Sequence, residues 1–213
     1  MSRQTDVAYQ YIKQRILEGE YKPAQKLTEI QLAELIEVSR STVKKALLKL
    51  QQENLVTIEN NKGASIKSFT LEEVINYLEI REVLEGLVAR SVAKEISESG
   101  LEELKRILGE MKIRLQNNKL DEYSILNKSF HKEMYKAAKN VQAVELINMI
   151  RTQLIRYQFR TILVPGRNQA SYTEHEKIYE ALKLRDETAA EEAVRNHIFN
   201  VRETIRLNYQ YLL

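Results

Sequence analysis

The scarcity of helix-breaking residues is the feature that most constrains this fold. Only two prolines and six glycines occur among the 213 residues. Proline breaks a helix interior and glycine weakens it, so long stretches of this chain are free to be helical. Apolar residues recur at helical spacing and predict helices near 5–18, 28–36, 40–53, 71–97, 100–117, 120–139, 141–163, 169–184 and 187–211. The predicted fold class is mainly α.

Four helix starts carry the spacing of a capping box, in which two side chains satisfy free backbone N–H groups at the first turn. The four pairs are Thr28 with Gln31, Thr70 with Glu73, Ser99 with Glu102 and Ser171 with Glu174. They predict where these helices begin.

The main exception to helix is the stretch LVTIENNKGASIKS at 55–68. Two short β-prone runs, Leu55–Ile58 and Ala64–Lys67, flank an Asn-Asn-Lys-Gly turn, and this pattern predicts a hairpin. The domain boundary is expected at Ser68–Thr70. The sequence thus predicts an N-terminal domain over 1–69 and an all-α domain of six helices over 70–213.

Composition excludes several classes of protein. The chain has no cysteine, which excludes disulfides and thiolate chemistry. No apolar run approaches the ~20 residues of a membrane span, and the N-terminus is amphipathic and carries acids, unlike a secretory signal. We therefore expect a cytoplasmic protein with no membrane partner. Residues 1–68 hold eleven basic and eight acidic residues, whereas 69–213 hold 22 of each, so the whole net charge of +3 lies in the first third.

Residues 27–58 have the pattern of a helix-turn-helix. Apolar residues mark one face of a short helix at 28–36, a turn follows at 37–39, and a second amphipathic helix begins at Arg40. Its polar side carries the candidate DNA contacts Arg40, Ser41, Thr42, Lys44 and Lys45, because cations neutralise phosphates and hydroxyls at a helix start reach base edges or phosphates. The hairpin then stands where a wing is expected, with Lys62 and Gly63 at its tip.

The ordinary alternative for such a helix is a solvated face. Between residues 40 and 53, however, only Glu53 interrupts the cations, whereas a solvated face usually mixes both signs. DNA binding is therefore the preferred interpretation.

The stretch LTEIQLAELIEVSRSTVKKALLKLQQENLVTIENNKGASI resembles the winged-helix domain of GntR-type bacterial transcription regulators. In that family's pattern proline is common where Thr42 stands, arginine where Lys44 stands, glutamate where Lys45 stands and glycine where Asn54 stands. Lys44 keeps the charge but lacks the fork that arginine offers to guanine. The resemblance implies binding of double-stranded DNA at a palindromic operator.

All three histidines of the chain lie on predicted apolar helix faces. His131 shares a stripe with Phe130 and Met134, and His175 and His197 lie on similar stripes of the last two helices. Inward imidazoles from separate helices are how helical bundles build metal sites. Asn127 lies one turn before His131, so three imidazoles and one oxygen would suit zinc, nickel or manganese. Three separately hydrogen-bonded core histidines are the open alternative.

Residues 71–211 resemble the helical FCD effector domain found in one GntR subfamily. The resemblance rests on REVLEGLVAR (81–90), NKSFHKEMYKAAKN (127–140), EHEKIYEALKLRD (174–186) and AAEEAVRNHI (189–198). In many such domains an Asp-x-x-x-His pair and two later histidines bind a divalent metal, which helps hold a small carboxylate effector.

The resemblance maps the metal ligands to Asn127, His131, His175 and His197, with asparagine in place of the usual aspartate. Zinc is the metal expected first. Arg81 is a candidate partner for the effector carboxylate, and an ion pair with Glu85 is its alternative role. Arg156 is a further candidate.

Three functions follow from these observations. The first is a ligand-responsive regulator, a repressor in most members of the family, that acts as a homodimer and binds a metal and a carboxylate. The second is the same regulator without metal, binding only an organic ligand. The third is a three-histidine metalloenzyme, although no hydrolase motif such as His-Glu-x-x-His accompanies the histidines.

Overall fold

The structure, a computed structural model, describes residues 3–59 and 63–212, with the side chains of 155–160 excepted. The chain divides into two compact units, Met1–Thr70 and Leu71–Leu213. Each unit has a hydrophobic core of its own. They are described separately below.

The first unit combines helices with a small sheet. Its described elements are α1 Arg3–Glu18, β1 Lys26–Leu27, α2 Glu29–Ile36, α3 Arg40–Gln52, β2 Val56–Glu59 and β3 Gly63–Ile66. The helix α3 packs against both α1 and α2. Fully buried aliphatic side chains of α1 and α3 form the centre of its core: Ile12, Ile16, Leu47 and Leu50. This arrangement is the predicted winged helix-turn-helix.

The predicted hairpin is confirmed, and it belongs to a three-stranded antiparallel sheet. The strand order is β1-β3-β2, with Val56 opposite Ile66 and Lys26 opposite Ser65. The strand β1 was not predicted, because two residues are too few to show an alternating pattern. The tip of the hairpin at 60–62 lies outside the described residues.

The turn between α2 and α3 is defined by its caps. The hydroxyl of Thr28 accepts a hydrogen bond from the backbone N–H of Gln31, which confirms Thr28 as the N-cap of α2, and it donates to Oε1 of Gln31. Glu37 ends α2 in the left-handed conformation with φ 59°, and Ser39 caps the start of α3 by accepting from the N–H of Thr42 at 3.2 Å. The chain therefore reverses within three residues and presents the N-terminus of α3.

The second unit consists of helices throughout its described residues. They are α4 Leu71–Glu95, α5 Glu98–Gln116, α6 Leu120–Lys136, α7 Val141–Thr161, α8 Arg167–Lys183 and α9 Glu187–Leu212. The helix α4 packs along α9 and against α7, while α8 packs against α9 and α5. No described helix is both long and apolar enough to cross a membrane. The six helices correspond to the six that were predicted.

Two of the predicted helix starts are wrong. The helix α5 is capped by Ser97, whose hydroxyl accepts from the N–H of Gly100 at 3.1 Å, and not by Ser99. The helix α8 begins at Arg167, so Ser171 lies inside it. In each case the helix begins after an earlier residue that can stand at a helix start, Ser97 before α5 and Gly166 before α8. The spacing of the capping box alone does not choose between such neighbouring positions.

Candidate metal centre and nucleic-acid interface

Three helices bring all three histidines of the chain together in the core of the second unit. His131 comes from α6, His175 from α8 and His197 from α9, and their exposed fractions are 1%, 0% and 3%. The prediction that each lies on an inward face is confirmed. One ring nitrogen from each lies within 4.8 Å of the others, and Nε2 of His131 is 3.3 Å from Nε2 of His175.

Backbone and carboxylate acceptors hold the outer ring nitrogens of two of these histidines. Nδ1 of His175 is 2.6 Å from the carbonyl oxygen of Ser171, and a carbonyl can only accept. Nδ1 of His197 is 2.7 Å from Oε2 of Glu174. A proton on Nδ1 leaves Nε2 of each ring with a free lone pair, and Nε2 of His175 faces Nε2 of His131.

The third histidine faces a buried carboxylate. Nδ1 of His131 lies 3.6 Å from Oε2 of Glu85, and neither atom has a hydrogen-bond partner among the described residues. The other oxygen of Glu85 pairs with Nε of Arg81, one turn earlier on α4. Burial alone would raise the pKa of Glu85, but Arg81 and Arg151 lower it below its ordinary value. An ionised Glu85 favours the Nδ1–H tautomer of His131.

Burial keeps the imidazoles neutral. It lowers the pKa of His175 to about 3, and the neighbouring His197 contributes to that shift. Burial is also the main cause that lowers the pKa of His197, and with Arg151 it lowers the pKa of His131 well below 6.5. Neutral imidazoles are the form that binds metals.

Glu174 joins the histidine cluster to an arginine. Arg167 donates two hydrogen bonds to its carboxylate, at 3.1 and 2.8 Å, and Asn200 donates a third at 2.9 Å. Burial would raise the pKa of Glu174, yet the bonds from His197 and Arg167 lower it. Glu174 is therefore a charged acceptor that fixes both His197 and Arg167.

A cavity of about 70 Å³ adjoins the histidines. Its lining includes cationic side chains and candidate metal ligands: Arg81, Asn127, His131, Arg151, Arg167 and His197. None of the described lining residues is an acid. The cavity therefore combines imidazole nitrogen with several cationic side chains, of which Arg81 and Arg167 are ion-paired with Glu85 and Glu174 behind the lining.

The structure brings Asn127 and Arg81, but not the side chain of Arg156, into the described part of the site. Asn127 lines the same cavity as His131 and His197. Arg81 lines it too, but its guanidinium is ion-paired with Glu85, which is the alternative role considered from the sequence. The side chain of Arg156 lies outside the described residues.

Sequence reasoning missed several residues of this site. Glu174 and Arg167 were not identified, and neither were Glu85, as a histidine partner, and Arg151. Glu174 directly precedes His175, and neighbouring residues of a helix point about 100° apart. From the sequence, Glu174 is therefore expected on the solvent-facing side of α8. The spacing of four residues between Arg81 and Glu85 was the one signal in the sequence that pointed to either residue as part of an ion pair.

The polar face of α3 is open to solvent at most of the predicted DNA contacts. Arg40, Ser41, Lys44 and Lys45 are exposed, and the first turn of α3 has no acidic residue. Free N–H groups at such a helix start attract phosphate. The face combines this helix terminus with three cations.

Thr42 does not fit its predicted role as a DNA contact. Its side chain is 7% exposed, and its hydroxyl lies 2.8 Å from the hydroxyl of Ser39. It supports the cap of α3 instead. Gly63 opens β3 with φ 87°, a conformation that glycine adopts without strain, and Lys62 lies outside the described residues.

Comparison with known proteins agrees with this architecture. Residues 4–66 match the bacterial regulatory proteins of the gntR family, and residues 76–200 match the FCD domain. The chain belongs to the GntR family and carries an FCD domain. This GntR-family protein is a DNA-binding transcription regulator and not an enzyme, so the metalloenzyme alternative is wrong.

Its relatives span nearly the whole chain. The regulator LutR of Bacillus subtilis is 31% identical, covering 89% of this chain and 95% of its own. The transcriptional repressor RspR of Escherichia coli is 26% identical, covering 93% and 87%. The solved structure of E. coli McbR/YncC superimposes with a TM-score of 0.78 at 18% identity and covers 100% of both chains, which shows that the fold is shared.

Proposed function

We propose that this regulator is a homodimeric repressor that binds a palindromic operator and responds to a small carboxylate held beside a divalent metal. RspR is named a repressor, which supports that direction of regulation. Two copies of α3 on a two-fold axis would match the two halves of a palindrome. The proposed contacts are Arg40, Ser41, Lys44, Lys45, Lys62 and Gly63.

The observation that carries the metal site is the meeting of three neutral imidazoles, in which Nε2 of His131 faces Nε2 of His175. With Nδ1 protonated on both His131 and His175, two lone pairs face each other at 3.3 Å, which is unfavourable without a cation between them. If Nε2 of His131 carried the proton instead, its Nδ1 lone pair would face the carboxylate of Glu85. A bound cation removes both conflicts.

Zinc is the metal we propose, because one pair of the histidines has the spacing of two ligands of a tetrahedral zinc ion. Two nitrogens each about 2.0–2.1 Å from a tetrahedral zinc ion are about 3.3–3.4 Å apart, and the two Nε2 atoms of His131 and His175 are 3.3 Å apart. His197 would be the third ligand, and Asn127 the proposed oxygen ligand. Ser171, Glu174 and Glu85 would orient the three rings, as second partners of metal-bound histidines usually do. When bound, the metal would supply a positive charge and a coordination position for an anion.

The cavity is suited to a small carboxylate. Its volume of about 70 Å³ is well above the ~10–15 Å³ that a single water molecule needs. Arg151 and Arg167 line it together with Arg81, and arginine forks match carboxylates in geometry. We propose that these arginines, with Arg156 as a further candidate, hold the effector beside the metal.

The metal proposal is tested by elemental analysis of the purified protein. We expect about one zinc per chain in the wild type and a large loss in His131→Ala. Ser129→Ala is the matched control, because Ser129 lies on the same helix and its hydroxyl donates to the carbonyl of Ile125, away from the histidines. Full metal content in His131→Ala would overturn the assignment, and an absence of metal from the wild type would favour the regulator that binds only an organic ligand.

The operator proposal is tested by mobility shift with palindromic DNA from upstream of the gene. We expect a dimer of this chain to bind the palindromic DNA at low salt without effector. Failure to bind any neighbouring intergenic DNA under these conditions would contradict it.

A further inference from the structure

A second strongly basic feature lies beside the cavity, in an open groove between α6 and α7. The groove has a volume of about 440 Å³. Lys128, Lys132 and Lys136 line it from α6, and Arg151 and Asn148 line it from α7. None of the described lining residues is an acid.

The three lysines are not arranged as an ordinary solvated face. They follow one another at i, i+4 and i+8, a spacing that places like charges side by side on a helix and destabilises it. Lys136 pairs with Glu133 at 2.5 Å, but no described carboxylate lies within ion-pair distance of Lys128 or Lys132. An anion in the groove would relieve this repulsion.

The groove and the cavity share two cationic side chains. Lys128 and Arg151 line both. The guanidinium of Arg151 donates to the hydroxyl of Tyr135 at 3.3 Å, and the rest of its five donors have no described hydrogen-bond acceptor. Burial and the nearby Arg151 lower the pKa of Lys128, which shows that these two cations lie close enough to repel each other. One ligand with two anionic groups could therefore contact both spaces through this pair.

We infer that the effector of this regulator carries two anionic groups. A carboxylate would occupy the cavity beside the histidines, and a second group, phosphate or carboxylate, would occupy the groove formed by Lys132, Lys136 and Arg151. This inference rests on the proposed carboxylate effector and narrows its class. Lys136 already pairs with Glu133, so a ligand with only the first group would leave Lys132 without a counter-ion among the described residues.

The groove is tested first without any metal or effector. The probe is inorganic phosphate, titrated into protein freed of metal, at constant ionic strength, with backbone amide shifts of α6 and α7 followed by NMR. We expect saturable shifts near Lys132 and Lys136, and an affinity about tenfold weaker in Lys132→Gln/Lys136→Gln, because two of the four cationic side chains that line the groove are removed. The control Lys105→Gln/Lys112→Gln removes two exposed charges of α5 that line neither the groove nor the cavity. Its affinity for phosphate should stay within about twofold of the wild-type value.

The link between groove and cavity is tested with matched ligands on zinc-loaded protein by calorimetry. Glycerate is compared with 3-phosphoglycerate, and 3-hydroxybutyrate with malate, so that each pair differs by one anionic group. We expect at least one two-anion ligand to bind about tenfold tighter than its partner, and the lysine double variant to remove that preference while leaving the one-anion ligand unchanged. The pair that responds identifies phosphate or carboxylate as the second group.

Two results would overturn the inference. Phosphate shifts that are absent, or equally strong in Lys132→Gln/Lys136→Gln, would remove the groove as an anion site. Equal affinities within both ligand pairs would remove its connection to the effector. Neither result bears on zinc content, so failure of the groove is distinguishable from failure of the metal site.

Discussion

Oε2 of Glu174 lies 2.7 Å from Nδ1 of His197, while Arg167 donates two hydrogen bonds to the same carboxylate. One side chain thus fixes the orientation of a proposed metal ligand and of a cavity arginine. Binding of an effector carboxylate by Arg167 and binding of metal by His197 are expected to influence each other through Glu174.

Replacement of Glu174 should weaken metal binding without removing a ligand. We expect Glu174→Gln to lower zinc affinity by about 10–100-fold, because the neutral amide holds the imidazole less firmly and makes it a weaker base. Competition with a chromophoric zinc chelator measures the change. Glu180→Gln is the control, since that residue is exposed and its described ion pair is with Lys183. An equal loss in both variants would contradict the role of Glu174.

The metal-free protein should lose stability as the pH falls from about 6.5 to 5. The folded-state pKa of each histidine is lowered, to about 3 for His175, whereas in the unfolded chain it returns to its ordinary value. The unfolded state therefore binds more protons in this window, and the free energy of unfolding falls by up to about 1.4 kcal/mol per pH unit for each histidine.

Urea unfolding at several pH values measures this dependence. The variant His175→Gln should show a shallower slope, because one of the titrating groups is gone. A free energy of unfolding that stays constant between these pH values would show that the histidines are not held neutral in the fold.

Neutralising the exposed face of α3 should weaken DNA binding in a salt-dependent way. For Lys44→Ala we expect the slope of log K against log salt to decrease by about 0.9, the value for one lost phosphate contact. Fluorescence anisotropy over a range of salt concentrations measures the slope. Lys105→Ala in the second unit is the control, and an unchanged slope in Lys44→Ala would exclude a phosphate contact there.

Replacing the second residue after α3, Asn54, should raise the stability of the fold. Asn54 has φ 56°, a left-handed conformation that costs a side-chain-bearing residue free energy and costs glycine little. We expect Asn54→Gly to raise the free energy of unfolding by about 0.5–1 kcal/mol, read from the urea midpoint. Gln51→Gly is the control within helical α3 and should be destabilising by about 1 kcal/mol; a loss of stability in both variants would contradict the prediction.

Local signals in the sequence were sufficient for most of the fold. The scarcity of proline and glycine, together with helical periodicity, predicted every helix of the described chain, because these patterns depend on neighbours within one or two turns. Helix starts were less predictable: Ser97 and Ser99 are both able to cap α5, and only packing selects between them. The two-residue strand β1 left no pattern to detect.

The sequence by itself determined that His131, His175 and His197 are inward-facing, because each lies on the apolar stripe of its helix. Only the tertiary structure decided what surrounds them. Glu174 became a ring partner through the packing of α8 and α9, and Glu85 through the packing of α4 and α6. Arg151 reached the cavity from α7. Such contacts join residues distant in the chain, and their geometry is set by how the helices pack against one another, which no local pattern encodes.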